Sequence, residues 1–140
     1  MSLSEKEIEL VDEFAIYDDW MDKYEYIIEL GKDLPLIDEA HKIDENIIKG
    51  CQSTVWLHAV YKDGKVVFTG DADAIIVKGL VAILVRALSE EEPDAIINNE
   101  LEFVKEIGLQ EHLSPTRSNG VLAMIKQMKM YALGFKMKNA

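Results

Sequence analysis

Apolar side chains near the start of the chain recur every three or four residues, which is the period of an amphipathic helix. Leu10 and Phe14 belong to this series, and Ser4 with Glu7 has the spacing of a capping box, in which the two side chains satisfy backbone N–H groups at a helix start. We therefore predict a first helix over residues 4–17.

A second series with the same period begins at Trp20 and includes Tyr24 and Ile27. Gly31 follows this series and is suited to end a helix, because glycine readily adopts the left-handed conformation found there. The next positions, 31–46, contain a Leu-Pro pair and no sustained apolar period, so they are predicted to form a loop.

The apolar period falls to two between residues 54 and 69, which is the pattern of β-strands. Asp63-Gly64 interrupts the run in its second half, and this pair can adopt the positive φ angles of a two-residue hairpin turn. We therefore predict a β-hairpin, and we expect Ile47-Ile48 to add a short third strand before it.

Residues Ile75–Leu88 are apolar almost throughout, with Lys78 and Arg86 as their only charges. Those two residues are eight positions apart and fall on one narrow stripe of a helix, so the rest of its surface is apolar. The pattern predicts a buried central helix. Asp71 or Asp73 is expected to cap its start, where a carboxylate also suits the helix dipole.

The remainder of the chain predicts short helices and a final long one. Pro93 is placed to open a short acidic helix, and residues 101–107 form another that Gly108 ends. Residues 114–120 are rich in Ser, Pro, Asn and Gly and are predicted to form a loop. Apolar residues at helical spacing from Val121 onward then predict the last helix.

Together these elements predict an α+β fold, in which helices cover a small antiparallel β-sheet. The chain has 140 residues and a mass of 15.9 kDa, which suits one domain over positions 1–140. Apolar residues make up 49% and charged residues 29% of the chain, the balance of a globular protein rather than a disordered one.

The formal net charge is −11, from 15 basic and 26 acidic side chains. A protein this acidic is not expected to bind nucleic acid or an anionic membrane in general. No stretch approaches the roughly 20 apolar residues that span a bilayer, and the polar N-terminus lacks the apolar core of a signal peptide. We therefore expect a cytoplasmic location.

The charge is distributed unevenly along the chain. Residues 112–140 contain five basic side chains and no acidic one, whereas all 26 acidic side chains precede them. Two interpretations remain open: a basic helix that lies over an acidic body, or a docking surface for an acidic partner.

Cys51 is the only cysteine, which excludes an internal disulfide, a CxxC redox pair and a zinc site with two thiolates. Only about 3% of a free thiol is thiolate at pH 7, and thiolate is the nucleophile. Arg117 is the candidate cation that could lower the thiol pKa. It could equally anchor its predicted loop through a salt bridge.

The other residues offer no clear catalytic or metal-binding set. His41, His58 and His112 are scattered along the chain, and their spacing selects none as a catalytic base or metal ligand. Glycine motifs that bind phosphate are absent, as is the GxSxG pattern of hydrolases. We therefore predict no cofactor and no metal, and the thiol is the remaining candidate for chemistry.

Three ordered segments together resemble the SufE-type family of sulfur-acceptor proteins. Cys51 lies in a GCQSxVW pattern, and Arg117 lies in a segment similar to the family's GLxxHLSPSRxNGLxxM. Between them, the segment from Gly70 to Leu80 resembles GDSDAxIVKGL. Ala72 and Thr116 each stand where that family has serine.

The resemblance implies a role in iron–sulfur cluster assembly and a fold similar to scaffold-type assembly proteins. Such proteins take sulfur from the persulfide of a PLP-dependent cysteine desulfurase, stimulate that enzyme, and pass the sulfur to a scaffold complex. The positions that match the family's motifs imply that Cys51 is the sulfur acceptor and that Arg117 assists the transfer. The chain would then be a carrier rather than an enzyme, and a monomer or weak homodimer.

Three alternatives remain: an acceptor in a paralogous sulfur-relay pathway, a thiol redox sensor, and an interaction domain with an idle cysteine. Sulfur transfer is thiolate attack on sulfur and needs one accessible thiol without metal or histidine. Gly50 permits close backbone approach or a swing of the loop. We therefore expect the Cys51 loop to be sheltered in the free protein and exposed when a donor docks.

Overall fold

The structure, a computed structural model, describes residues 2–139. Those residues form an α+β fold of α-helices around a two-stranded antiparallel sheet, as the sequence predicted. In chain order the elements are α1 (Leu3–Ala15), α2 (Trp20–Gly31), β1 (Val55–Lys62), β2 (Lys65–Ala72), α3 (Ile75–Leu88), α4 (Pro93–Ile97), α5 (Phe103–Ile107), α6 (Leu109–His112) and α7 (Pro115–Lys138). Two 3-10 turns, Glu39–His41 and Asp44–Asn46, interrupt the connection between α2 and β1.

The predicted hairpin is confirmed. Strands β1 and β2 pair in antiparallel register with Val55 opposite Ala72 and Lys62 opposite Lys65. Asp63 and Gly64 form the turn with φ angles of 54° and 80°, the conformation that this residue pair tolerates best.

The predicted third strand is wrong. Ile47 makes one isolated bridge to Trp56, and the Ile48 N–H donates to the Val55 carbonyl at 2.9 Å. A 3-10 turn ends at Asn46, and Gly50 turns the chain again with a φ of 95°. Only two residues between these turns are extended, which is too few to form a strand.

Helix α3 is the buried centre of the molecule, as its apolar sequence predicted. It packs against β2 and crosses α2, and most of its side chains are buried. The narrow charged stripe faces outward, where Arg86 pairs with Glu9 and Glu13 of α1. This ion pairing, first of all the hydrogen bond from Arg86, lowers the pKa of the Glu13 carboxyl.

The crossing of α2 and α3 is too close for side chains. A Cβ atom added at Gly79 would lie 2.1 Å from the Ile27 carbonyl oxygen. One added at Gly31 would lie 3.0 Å from the Gly79 backbone nitrogen. The two helices therefore touch backbone to backbone, and no residue with a Cβ fits at position 79 without movement of one helix.

Helix α1 begins one residue earlier than predicted, and its N-cap lies two residues earlier. Ser2 is its N-cap, and the Ser2 hydroxyl accepts a hydrogen bond from the Glu5 backbone N–H at 3.2 Å. The Ser-x-x-Glu spacing occurs twice in succession, at residues 2–5 and at residues 4–7, and the first pair makes the cap.

The predicted caps of α3 are also wrong. Ala74 is the N-cap and makes no side-chain cap hydrogen bond. Asp71 lies at the end of β2 and pairs with Lys42 at 2.9 Å. Asp73 accepts a hydrogen bond from the Thr54 backbone N–H at 3.1 Å. Asp71 also lies 3.5 Å from the Lys78 ammonium in the first turn of α3, but neither carboxylate makes the cap hydrogen bond at the start of the helix.

The predicted loop over residues 114–120 is the first part of α7. Ser114 caps the helix by accepting a hydrogen bond from the Arg117 N–H at 3.3 Å, and Pro115 occupies the first helical turn. Proline has no N–H to satisfy there and already holds the helical φ. The Ser-Pro pair therefore starts the helix, and Arg117 is a helical residue.

Among residues 2–139, no helix has the length and hydropathy needed to cross a membrane.

Candidate functional site

Cys51 lies on the short connection that leads into β1, one residue after Gly50. The backbone of this connection is held on both sides: Ile48 bonds to Val55, while Thr54 exchanges two hydrogen bonds with Asp73. Positive φ at Gly50 reverses the chain between these anchors. The thiol therefore sits on a loop, as predicted, and the ends of that loop are fixed.

The thiol packs against the second turn of α7. Its S–H group lies within donor reach of the Gly120 carbonyl oxygen, at 3.6 Å. A Cβ atom added at Gly120 would lie 3.5 Å from Cys51 Sγ, and one added at Gly50 would lie 3.3 Å from the Ala123 Cβ atom. Two glycines thus bring the loop and the helix close together around the sulfur.

A small cavity of about 100 Å³ opens beside the sulfur. It lies between the Cys51 loop, the start of α3 and the first turns of α7. Its lining residues are Cys51, Gln52, Ser53, Val77, Leu80, Thr116, Arg117, Gly120 and Met124. The structure therefore brings the two residues singled out from the sequence, Cys51 and Arg117, to the same cavity.

Arg117 is exposed at the rim of this cavity, and an aromatic side chain holds its guanidinium. Its Nη1 donates to the Tyr24 hydroxyl at 3.0 Å, and its Cζ lies 5.8 Å from the centre of the Tyr24 ring. No carboxylate within residues 2–139 forms a salt bridge with Arg117. The interpretation of Arg117 as a salt-bridge anchor is therefore wrong.

Sequence reasoning missed the contact of Tyr24 with Arg117 at the site, and it missed the contact of Trp20 with α6. The two aromatic residues lie one turn apart on α2, and the Trp20 ring stacks on His112 with 4.6 Å between the ring centres. This face of α2 thereby contacts both α6 and α7. The i, i+4 spacing of the two aromatic residues predicted a helix, but it did not indicate which other helices they contact.

Burial raises the pKa of the Cys51 thiol. The side chain is half-buried, and loss of water around the sulfur disfavours the thiolate. No lowering by Arg117 is seen, and the guanidinium is engaged with Tyr24. Burial in the free protein therefore favours the protonated thiol over the thiolate.

Neither the histidines nor the acidic residues form a second candidate site in the described part of the chain. The rings of His41 and His58 stack on each other with 4.0 Å between their centres, and the His112 ring stacks on Trp20. None of the three histidines lines the cavity. In the part of the chain that the structure describes, no group of three or more His, Cys, Asp or Glu side chains is placed to hold a metal ion. The site thus consists of a thiol, a cation and a space between them.

Comparison with known proteins gives one consistent family. Residues 8–132 match the family model SufE, described as an Fe–S metabolism associated domain. An uncharacterised SufE-like protein of Rhizobium meliloti is 43% identical over 131 residues, which cover 90% of this chain and 94% of the relative. A second one, from Rhizobium etli, is 41% identical and is matched over 85% of its length and 86% of this chain.

The fold is also found among solved structures. The solution structure of a hypothetical protein from Thermus thermophilus matches with a TM-score of 0.77 over 92% of this chain and 94% of that one. The two sequences are 21% identical, so this match carries the fold alone.

Proposed function

Because the chain belongs to the SufE family of Fe–S metabolism proteins, we propose that it is a sulfur acceptor and carrier whose acceptor atom is Cys51 Sγ. The proposed donor is a PLP-dependent cysteine desulfurase that carries a persulfide on its own cysteine. The chain would stimulate that enzyme by removing its sulfur and then deliver the sulfur to an iron–sulfur scaffold complex in the cytoplasm. The PLP chemistry belongs to the donor.

The transfer step balances without an external oxidant or reductant. The Cys51 thiolate attacks the outer sulfur of the donor persulfide, so a new S–S bond forms on Cys51 as the S–S bond of the donor breaks. The donor cysteine leaves as a thiolate. The Cys51 thiol loses its proton before attack, and the departing thiolate can take one up, so the sum of thiols and persulfides is unchanged.

The observation that carries the proposal is the single half-buried thiol beside a cavity of about 100 Å³. One water occupies roughly 30 Å³ in the liquid, so the cavity offers room for one additional sulfur atom on Sγ. The absence of a second cysteine in the sequence also matters. A neighbouring thiol would attack the inner sulfur of the persulfide, form a disulfide and release sulfide.

Arg117 is proposed to assist transfer as the cation at the rim of the cavity. A persulfide is more acidic than a thiol and carries negative charge after transfer, and a guanidinium can donate hydrogen bonds to it. The Tyr24 hydroxyl accepts a hydrogen bond from that guanidinium and so restricts its position. The cation is therefore already positioned at the cavity before transfer.

The experiment is to incubate the protein with a cysteine desulfurase and cysteine and to measure its intact mass. We expect a gain of one sulfur atom in the wild type, removed by a thiol reductant and absent in Cys51→Ser. Arg117→Ala should gain it more slowly, whereas Lys138→Ala, which removes a charge at the far end of the same helix, should match the wild type.

Absence of sulfur gain in the wild type would overturn the proposal, and rapid labelling of Cys51 by peroxide in its place would identify a redox sensor. Equal alkylation rates of Cys51 with and without the desulfurase would contradict the expected exposure of its loop on docking.

A further inference from the structure

Among residues 2–139, Arg117 is the only charged side chain that lines the cavity beside Cys51. The other lining residues are uncharged polar or apolar residues of the loop, of α3 and of α7. Lys49 of the loop and Asp73, which accepts a hydrogen bond from the Thr54 N–H, lie outside the lining. An electrostatic effect on the sulfur from inside the cavity must therefore come from Arg117.

The Arg117 guanidinium is nevertheless bound to a residue outside the cavity. Its Nη1 donates a hydrogen bond to the Tyr24 hydroxyl at 3.0 Å, and its Cζ lies 5.8 Å from the centre of the Tyr24 ring. Tyr24 does not line the cavity. The tyrosine therefore draws the charged end of the arginine toward α2 rather than toward the sulfur.

The sulfur of Cys51 has a hydrogen-bond acceptor beside it and no donor. The S–H group lies 3.6 Å from the Gly120 carbonyl oxygen, and no N–H group in the described part of the chain donates to Sγ. A carbonyl neighbour favours the protonated thiol, because it accepts a hydrogen bond from the S–H and repels a thiolate. Burial raises the pKa of the thiol, and no donor to the sulfur opposes this effect.

Arg117 lies close enough to the sulfur to change its hydrogen-bond partner. It precedes Gly120 by three residues on α7, a rise of about 4.5 Å along the helix. Its side chain is exposed, and no carboxylate within residues 2–139 forms a salt bridge with it. Because Arg117 and Cys51 line the same small cavity, rotation about side-chain bonds can bring the guanidinium to the sulfur without movement of the helix.

The contact of Arg117 with Tyr24 is weak enough to be replaced. A hydrogen bond to a neutral hydroxyl and a cation–π contact at an exposed site each contribute little. A hydrogen bond between a guanidinium and an anion is stronger than one to a neutral acceptor. A negative charge on the sulfur would therefore compete with Tyr24 for the guanidinium, whereas a protonated thiol would not.

We propose that the Tyr24 hydroxyl is the resting partner of the Arg117 guanidinium and keeps it from Cys51 until the sulfur carries a negative charge. Tyr24 is then a positioning residue, which acts through Arg117 and contacts no reacting atom. The inference rests on the proposed sulfur transfer only for the identity of that charge, which would be the persulfide anion. The restraint on the free thiol is a property of this chain alone.

The pH profile of Cys51 alkylation by iodoacetamide tests this restraint without a desulfurase. Tyr24→Phe removes the hydroxyl and keeps the ring, so it releases the guanidinium toward the sulfur. The apparent pKa of the thiol should fall by about half a unit, which raises the alkylation rate at pH 7 about threefold. Arg117→Ala alone should leave that pKa near the wild-type value. Tyr24→Phe combined with Arg117→Ala should do the same, because the released cation is then missing.

Tyr61→Phe is the matched control. It removes a tyrosine hydroxyl at the end of β1 that is far from the Cys51 loop, so it should not change the pKa of the thiol. Circular dichroism checks that every variant is folded. An unchanged thiol pKa in Tyr24→Phe would overturn the inference. So would a fall in pKa that persists without Arg117, since the hydroxyl would then act by another route.

Sulfur gain from a cysteine desulfurase separates this inference from the proposed function. The wild type and Tyr24→Phe should both gain one sulfur atom, because both retain Cys51 and Arg117. Sulfur gain by both proteins without a shift of the thiol pKa would overturn the inference alone. If neither gains sulfur while the pKa shift is observed, the proposed function fails and the restraint on the free thiol is supported.

Discussion

Glycine brings backbones together in two regions of this protein, and the clearances differ. Where α2 crosses α3, a Cβ at Gly79 would lie 2.1 Å from a carbonyl oxygen, so the contact has no spare room. Around Cys51, a Cβ at Gly120 would meet Sγ at 3.5 Å, an ordinary van der Waals distance. The two helix backbones at the crossing are therefore in direct contact, whereas the packing around the Cys51 sulfur leaves room for small movements.

The two regions also differ in burial and in polarity. Ile27 and the surrounding α3 side chains at the crossing are buried and apolar. Cys51 is only half-buried, and Arg117 at the same cavity is exposed. Substitutions at the crossing should thus change the free energy of unfolding. Substitutions at the site should mainly change the reactivity of the thiol.

The largest expected effect is that of Gly79→Ala. The added Cβ would overlap the Ile27 carbonyl, and α2 or α3 must shift within a packed core. Overpacking usually costs about 1–3 kcal/mol, and contact with a rigid backbone places this change at or above the upper end. Urea unfolding should therefore show a loss of about 3 kcal/mol or more in the free energy of unfolding.

Gly134→Ala on α7 is the matched control, because a Cβ at Gly134 meets no atom within 4 Å. Alanine has the better helix propensity, so this variant should gain up to about 1 kcal/mol. If Gly79→Ala were as stable as the wild type, the close crossing described above would be wrong.

A smaller effect is expected for Gly50→Ala at the thiol loop. Gly50 has a φ of 95°, and left-handed backbone costs a residue with a Cβ about 1–2 kcal/mol. Part of this strain can be relieved by movement of the loop away from Ala123. The variant should therefore lose about 1 kcal/mol in urea unfolding, while its thiol reacts faster with iodoacetamide. An unchanged alkylation rate would show that the loop geometry does not shelter the sulfur.

The smallest effect on stability should come from the ionisation of Cys51 itself. Burial raises its pKa in the folded protein, so the folded state holds the proton more tightly than the unfolded state does. This contribution to stability is complete below the unfolded pKa of about 8.5, and it is lost as pH rises through the folded value. Cys51→Ser should remove this part of the alkaline loss, whereas the part due to the raised pKa of Tyr26 should remain.

The pH profile of alkylation measures the same property directly. The apparent pKa of Cys51 should be higher in the folded protein than in the urea-unfolded chain, because the thiol is buried only in the folded state. A folded value below the unfolded one would mean that a cation such as Arg117 dominates over burial.

Much of the fold could be predicted from local sequence patterns. The alternation before Asp63-Gly64 is a short-range signal, and the hairpin formed as predicted. Residues 75–88 are apolar on nearly every side, which only a buried helix accommodates. The start of α7 was missed, since Gly120 and its polar neighbours resemble a loop; Gly120 is buried in the helix where it packs against the Cys51 loop.

The sequence predicted two residues of the site but not the contacts that they make. Cys51 stood out because it is the single thiol, and Arg117 because of its unusual surroundings in the sequence. The contact of Arg117 with Tyr24 joins residues 93 positions apart, and no local pattern encodes it. The raised pKa of the thiol likewise depends on how α7 covers the loop, which is a property of the folded chain.

The close crossing of α2 and α3 has a consequence for distant parts of α2. A helix whose backbone touches its neighbour cannot slide along its axis without a collision. Tyr24 lies seven residues before Gly31 on that helix, or about 10 Å along it. The contact at Gly31 therefore sets the axial position of the tyrosine hydroxyl, so an error in helix register at one end would misplace the anchor of the guanidinium at the other.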